Sequence, residues 1–506
     1  MRRTWGKEAF WCTGGNRLEV GDLARKLRGP SDKRPRPLRS TPEAFLRFLE
    51  CGIMRFGAVR YRCEDCREDL FVAFSCKRRG LCPSCDAKRA TIAVCNATER
   101  LLPAASYRQW VLVVPKRLRF FMNLRPDLPG ELSGILAREI ELFIKRRSGD
   151  GDASQLHFIQ RAGSTLNRHV HVHAVASDGA FLERRGALGK KSLGFRWTGG
   201  PNEDQVKRIT EAIRRKVLSR FVKLKVLPEE VAREMLAWEH SGFSLHTKVK
   251  IGPQDREGLA RLLDYCARPS LSEKRVSYRP KQGLVVYRAE KRKGETASLA
   301  LTPVEFMRRW ALLMPPPRKN LLRYYGALGP KSPLRPLLVA SASKGASAAR
   351  LKKKKEGIKQ VVGAKLGSWA ACLARVFEID PLECRKCGKR MIPVAVIMDN
   401  DELVRLLTYL RLPTNLPKTK PATEKLIEIF EDGDRGPPDE ASQVEPQAEL
   451  FEGVDPGPTW SQPRASISRR DMGRKRLRRA GAGCMGGAPL YHLPVVRGGM
   501  HPHYSL

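Results

Sequence analysis

166-LNRHVHVHAVASDG-179 places three of the chain's nine histidines, His169, His171 and His173, on alternate positions of one short stretch. Successive side chains of a strand point to opposite faces, so the three imidazoles share one face while Val170, Val172 and Ala174 share the other. Same-face neighbours stand roughly 7 Å apart at Cα, near enough for two rings to converge on one divalent cation. Histidines in this pattern can also be surface or hydrogen-bonded residues. Here the surrounding basic charge and a cysteine-rich segment upstream favour the metal site.

Working outward, QWVLVVP (109–115) and LHFIQRAG (156–163) read as strands, with ELSGILAREIELFIKRR (131–147) as the helix between them. Helices near 203–225 and 227–238 follow, then a strand at 243–251, a helix near 255–267, a strand at 283–292 and a proline-terminated helix in LTPVEFMRRWALLMPPP (301–317). The strands are too few and too irregularly spaced for a doubly wound sheet, so the fold class is α+β. TPEAFLRFLECGIM predicts an amphipathic helix over 41–54 that buries Phe45, Phe48, Leu49 and Ile53.

The 506 residues carry 95 Lys plus Arg against 53 Asp plus Glu, a formal charge of +42. That excess is beyond what solubility needs and points to a polyanionic partner, nucleic acid first and an anionic membrane surface second. No apolar run approaches the roughly 18 residues of a spanning helix, and the first residues lack the apolar core of a secretory signal. The expectation is a soluble, cytoplasmic protein without a membrane partner.

Thirteen cysteines, clustered rather than spread, fit metal ligation in a reducing compartment better than a disulfide framework. CEDC (63–66) and CPSC (82–85) lie fifteen residues apart, so Cys63, Cys66, Cys82 and Cys85 are the expected ligands of one structural Zn²⁺. The alternative is four buried thiols. Cys76 and Cys95 are spare and could replace a ligand. The cations of KRRG and AKRA, namely Lys77, Arg78, Arg79, Lys88 and Arg89, dress this module for DNA. A second pair, Cys384 and Cys387 in CRKCGK, is half a ribbon. Cys372, His492 or a second chain could complete it, or the turn holds no metal.

Two histidines leave coordination positions open, which suits a cation that grips a scissile phosphate. Such a site needs a nucleophile. Tyr265 lies near the end of a helix with Leu259, Leu262 and Leu263 on its buried side, and Arg261 and Arg268 flank it. These cations would favour the phenolate and could touch DNA. The alternative is an ordinary half-buried tyrosine.

FLECGIMRFGAVRYRCEDC, FSCKRRGLCPSC, FIQRAGSTLNRHVHVHAVASDG, YCARP, LTPVEFMRRWALLMPPPRKNLLRYYGALGPKSPLR and DPLECRKCGKRMIPVAVI occur in an order that resembles the rolling-circle transposases of the insertion-sequence-91 family. The resemblance covers about residues 41–398. Those proteins belong to the HUH single-strand endonucleases, named for His, a bulky hydrophobic residue and His. The resemblance implies an antiparallel sheet with flanking helices that carries the two histidines, a helix that carries the tyrosine, and catalytic Mg²⁺ or Mn²⁺. It also implies a bacterial mobile element as source, hence nucleoid association, with single-stranded element ends and target DNA as partners. His171-Val172-His173 is the matching triplet and His169-Val170-His171 the alternative frame. Arg261 and Pro269 stand four residues either side of Tyr265, so the chain looks like the single-tyrosine branch.

The expected organisation is a basic disordered arm (1–40), a helix with a zinc-ribbon-like DNA-binding module (41–98) and an HUH core (99–335). A basic linker (336–360), a small CxxC unit (361–412) and a mostly disordered tail (413–506) follow. The expected activity is nicking and joining of single-stranded DNA through a 5′-phosphotyrosine. A plasmid replication initiator or relaxase with the same chemistry is the alternative enzyme, and a zinc-dependent DNA-binding protein with a decayed nuclease is the alternative from another class.

Overall fold

The computed structural model describes residues 41–186, 189–272, 275–290, 296–355, 382–411 and 414. The expected arm, almost all of the expected tail, Cys372, Cys484 and His492 lie outside the described residues.

Helix α1 (Thr41–Glu50) is shorter than the expected 41–54, because Gly52 takes a left-handed φ of 70° and turns the chain. Strands β1 (Ala58–Cys63) and β2 (Asp69–Ala73) form a hairpin around the CEDC turn, and α2 (Pro83–Asn96) begins inside CPSC with Pro83 in its first turn. Then come β3 (Tyr107–Val113), α3 (Lys116–Leu124), α4 (Leu128–Ser148), β4 (Asp152–Ala162), β5 (Arg168–Arg185) and β6 (Lys191–Trp197). Helices α5 (Glu203–Lys223) and α6 (Glu229–Ala237) lead to the short strands β7 (Ser244–His246) and β8 (Lys250–Ile251), which replace the single strand expected at 243–251. The chain continues through α7 (Arg256–Ala267), β9 (Val276–Arg279), β10 (Leu284–Glu290), β11 (Thr296–Leu301), α8 (Pro303–Leu313) and β12 (Leu322–Gly326). The described elements end with α9 (Arg335–Lys355), β13 (Met391–Ile397) and α10 (Asn400–Tyr409).

The central sheet has seven antiparallel strands, ordered β12-β4-β5-β3-β7, with β6 on β5 and β8 on β3. The 18-residue β5 is its spine. Val170, Val172, Ala174 and Ala176 face a core built by α3, α4, α5 and α6, in which Leu118, Leu132, Leu136, Ile140, Val217 and Phe221 are fully buried. Each such side chain contributes roughly 1.5–3 kcal/mol of transfer free energy. On the opposite face Leu156, Phe158 and Val175 pack against Leu259, Leu262 and Leu263 of α7, Leu338 of α9 and Leu334 just before it. Both faces are covered by helices, yet every strand pairing is antiparallel. The class is α+β, as the irregular strand spacing implies.

Two smaller sheets stand beside this one. The three-stranded sheet β11-β10-β9 shares a core with α1 and α8, where Trp310 meets Phe45 and Phe48 edge-on at 5.6 and 5.4 Å. The other, β13-β1-β2, joins the two ends of the described chain. The expected C-terminal unit therefore does not stand alone: β13 is a strand of the N-terminal module.

The expected linker at 336–360 is corrected too, since α9 runs through it to Lys355. Its sequence is small and basic, but Ala, Leu, Arg and Lys are strong helix formers, and a single Gly345 costs only about 1 kcal/mol. Leu338 and Ala342 anchor the helix in buried positions.

Candidate active site and cysteine clusters

The period of two in β5 puts His169, His171 and His173 on the α7 side of the sheet, at 1, 1 and 3% exposure. Adjacent ring centroids are 5.1 and 4.9 Å apart. Helix α7 buries Leu259, Leu262, Leu263 and Cys266, and this packing turns Tyr265 to the rim of the same face, 43% exposed. Its ring meets His173 edge-on at 5.7 Å, and the Arg268 guanidinium lies over it at 4.5 Å. Arg261 is exposed one helical turn earlier.

Hydrogen bonding on this face leaves more acceptors than protons. His171 Nδ1 lies 3.0 Å from the His169 carbonyl oxygen and Nε2 lies 3.1 Å from Gln160 Oε1. Gln160 is fixed in that orientation because its amide nitrogen donates to the Cys266 carbonyl at 2.9 Å. Burial, and then the neighbouring His173 and His169, hold the His171 pKa well below its ordinary value, so the ring is neutral and has one N–H for two facing oxygens. With that proton on Nδ1, the lone pairs of His171 Nε2 and Gln160 Oε1 face each other. His173 is likewise neutral, pushed down to about 3 chiefly by burial and then by Arg268. Its Nδ1 lies 3.0 Å from the Gln109 amide nitrogen, and its buried Nε2 has no hydrogen-bond partner. Rotating the Gln109 amide by a half-turn would present its oxygen, place the proton on Nδ1 and free the Nε2 lone pair. His169 lies on the far side of His171, with the Arg119 guanidinium 3.5 Å from its Nδ1.

Gln109 and Gln160 are not visible in the sequence as site residues. Gln160 is in register with His171 across β4 and β5, and pairing register is the information a single strand pattern lacks.

The cysteines group differently from the expected quartet, and this is a correction. Cys63 and Cys66 do not converge with Cys82 and Cys85. Cys82 and Cys85 join Cys51 and Cys76, while Cys63 and Cys66 join Cys384 and Cys387, each quartet with all sulfurs within 4.8 Å of one another. The cause is topological. CEDC is the tip of the β1–β2 hairpin, whereas CPSC sits at the start of α2, against the turns that follow α1 and β2. Cys51 carries no CxxC signature, which hid it; Cys76 fills one of the roles left open for it, and Cys95 is in neither quartet. In the first quartet Cys51–Cys85, Cys76–Cys85 and Cys82–Cys51 are 3.8, 3.7 and 3.7 Å apart. Four sulfurs at about 2.3 Å from a tetrahedral zinc stand about 3.8 Å from one another.

Of the expected DNA contacts, Arg78 pairs with Glu43 at 3.0 Å and Arg89 with Asp86 at 2.7 Å, while Arg79 donates to the carbonyls of Lys319 and Pro316. These three arginines brace the module. Lys77 is exposed, and Lys88 is half-buried. A separate concentration of positive charge, unmarked in the sequence, lies where β4 ends and β5 begins. There Arg161 is pushed down to about 10 by burial and then by Arg168 and Arg79, and Arg168 is lowered by burial and then by Arg308. Arg161 Nε is buried without a partner. Guanidinium groups that depress one another in this way are poised for an anion.

Two family models match the chain. The transposase zinc-binding domain of the IS91 type matches residues 30–114, which hold six of the eight clustered cysteines, and the transposase family Y2_Tnp matches residues 155–333, which hold Gln160, the three histidines and Tyr265. No curated protein and no solved structure matches it.

Proposed function

This chain is an insertion-sequence-91-like transposase, a DNA-processing enzyme with a zinc-binding domain, and from that premise we propose that it cuts single-stranded DNA with Tyr265 and keeps one end as a 5′-phosphotyrosine. One observation carries the reading. A tyrosine at the rim of a buried histidine row stands edge-on to an imidazole whose outer nitrogen has no partner.

The donor set fits a divalent cation once the Gln109 amide is turned to present its oxygen to His173 Nδ1: His171 Nε2, His173 Nε2 and Gln160 Oε1 would then be three neutral donors on one face. Mg²⁺ or Mn²⁺ bound there would draw electron density from a phosphate oxygen and so make the phosphorus more electrophilic. Tyr265 Oη then attacks phosphorus and releases its proton to solvent. A phosphorus–oxygen bond forms to the phenol, the bond to the 3′ oxygen breaks, and that oxygen takes up a proton and leaves as a 3′-hydroxyl. Attack by a 3′-hydroxyl on the phosphotyrosine reverses these steps and joins strands. Arg268 packs its guanidinium over the phenol ring and helps fix its orientation, and Arg161 with Arg168 offers guanidinium groups to flanking phosphates. His169 belongs to the same row but stands one position farther from Tyr265, which favours the 171/173 frame. The reading extends to rolling-circle transposition of element ends. In the zinc-binding domain Cys51, Cys76, Cys82 and Cys85 would hold the structural ion.

A denaturing gel of a labelled element-end oligonucleotide tests the assignment. Tyr265→Phe should abolish the covalent adduct with DNA binding nearly intact. His173→Ala should cut more slowly and recover partly in excess Mn²⁺, whereas His169→Ala should lose little. An adduct that persists in Tyr265→Phe overturns the nucleophile. Absence of nicking by the unaltered chain on any end or plasmid origin would instead leave the DNA-binding reading.

A further inference from the structure

The second quartet is formed by residues more than three hundred positions apart, and its two halves are copies of one turn. In 63-CEDCRE-68 the Cys63 N–H donates to Glu68 O at 2.9 Å and the Arg67 N–H to Cys63 O at 3.0 Å. In 384-CRKCGK-389 the Cys384 N–H donates to Lys389 O at 2.7 Å and the Gly388 N–H to Cys384 O at 2.8 Å. The residue after each second cysteine is left-handed, Arg67 with φ 57° and Gly388 with φ 72°. Left-handed backbone is costly for arginine and free for glycine, so the first turn holds the shape against a local penalty. Each turn points two sulfurs to one side, and the turns face each other with Cys63 Sγ 3.4 Å from Cys387 Sγ and Cys66 Sγ 3.4 Å from Cys384 Sγ. Lys389 donates to Asp65 at 2.7 Å across the same junction.

We infer that Cys63, Cys66, Cys384 and Cys387 bind a second zinc ion, separate from that of Cys51, Cys76, Cys82 and Cys85, and that this ion clasps the C-terminal strand to the N-terminal hairpin. The reading rests on the cysteine geometry and is independent of the tyrosine chemistry. Four thiols gathered without a cation would be a poor way to hold two chain ends. The small core beneath them, Tyr61, Val72 and Met391, adds little apolar burial of its own. Backbone pairing of β13 along β1 then extends the junction to Ala58 and Ile397. Cys387 is exposed, whereas Cys51, Cys82 and Cys85 are buried, so the clasp should surrender its metal to a chelator first.

Elemental analysis of the purified full chain under reducing conditions should give two zinc ions per molecule, one for each quartet. Alkylation footprinting of the same unaltered protein should find all eight cysteines protected, with Cys63, Cys66, Cys384 and Cys387 becoming reactive together, ahead of the others, as chelator is added. The double variant Cys384→Ser, Cys387→Ser should keep one zinc and the protection of the first quartet. One zinc in the full chain, alkylation of Cys384 and Cys387 while Cys63 and Cys66 stay protected, or two zinc ions in the double variant would each overturn the clasp. Should the double variant precipitate, the footprint of the unaltered chain decides alone.

Discussion

Among single residues, the histidines show how far a sequence can be read. Alternation placed His169, His171 and His173 on one face, and the structure has them there, because the period of two is intrinsic to a strand. Their partners Gln160 and Gln109 belong to neighbouring strands, and nothing in their local sequence sets them apart. A fourth histidine, His157, lies on the other face of the sheet. It is fully buried between Ser133 Oγ at 3.1 Å and Gln155 Oε1 at 3.1 Å, and burial, then Arg323, push its pKa down to about 3. The unfolded chain protonates this histidine near pH 6.5 and the folded chain does not, so its contribution is complete above about pH 6.5 and is lost as pH falls toward 3. Between pH 7 and pH 5 the unaltered protein should lose about 2 kcal/mol more stability than His157→Gln. Urea unfolding at the two pH values measures the difference, and equal losses would show that the folded protein accepts the proton.

Strands and helices were legible where apolar periodicity was strong, as in α4, α7 and α8, and illegible where tertiary pairing decided. FSLHTKVKI became two short strands, and no local pattern in MIPVAVI reveals that its partner is β1. One buried ion pair ties such marginal strands to the spine. Asp178 on β5 receives Arg108 of β3 in a bidentate pair of 2.8 and 2.9 Å, and Arg108 also donates to the Thr247 carbonyl between β7 and β8 at 2.8 Å. Asp178→Ala should cost about 3–5 kcal/mol because it strands a guanidinium that is 12% exposed. The pair Arg108→Met, Asp178→Leu should recover much of that loss. Denaturant midpoints of the two variants test this, and equal destabilisation would mean that shape rather than charge is what the pair supplies. At the far edge of the sheet, Gly326 has φ 56° and a Cβ there would collide with the Ala153 carbonyl, so β12 can close the sheet only with glycine at its end.

For the molecule as a whole, charge was the most direct message of the sequence and topology the least. A formal charge of +42 requires that binding to single-stranded DNA release counterions. The logarithm of the affinity should fall linearly with the logarithm of salt concentration, and Arg161→Gln should reduce the slope by about 0.7 if that side chain meets one phosphate. Fluorescence anisotropy over a salt series reads the slope, and an unchanged value would remove Arg161 from the interface. Among the described residues no helix is long and apolar enough to cross a membrane. The central sheet lies within the expected core, whereas the expected separate C-terminal unit gives its strand β13 to the sheet of β1 and β2. The strand that completes the sheet beside CEDC is made more than three hundred residues later, and order along a sequence carries no sign of such closure.

The pairing of β1 with β13 also sets a clock on synthesis. Once Cys63 has left the ribosome, the free edge of β1 and two thiols must wait for about 330 further residues, roughly 15 to 70 seconds at ordinary elongation rates. Through that interval the nascent chain exposes an unsatisfied strand edge that invites mispairing. A message broken before the codon for Cys384 yields a protein that never closes, so proteolysis has a physical means of telling unfinished copies from complete ones.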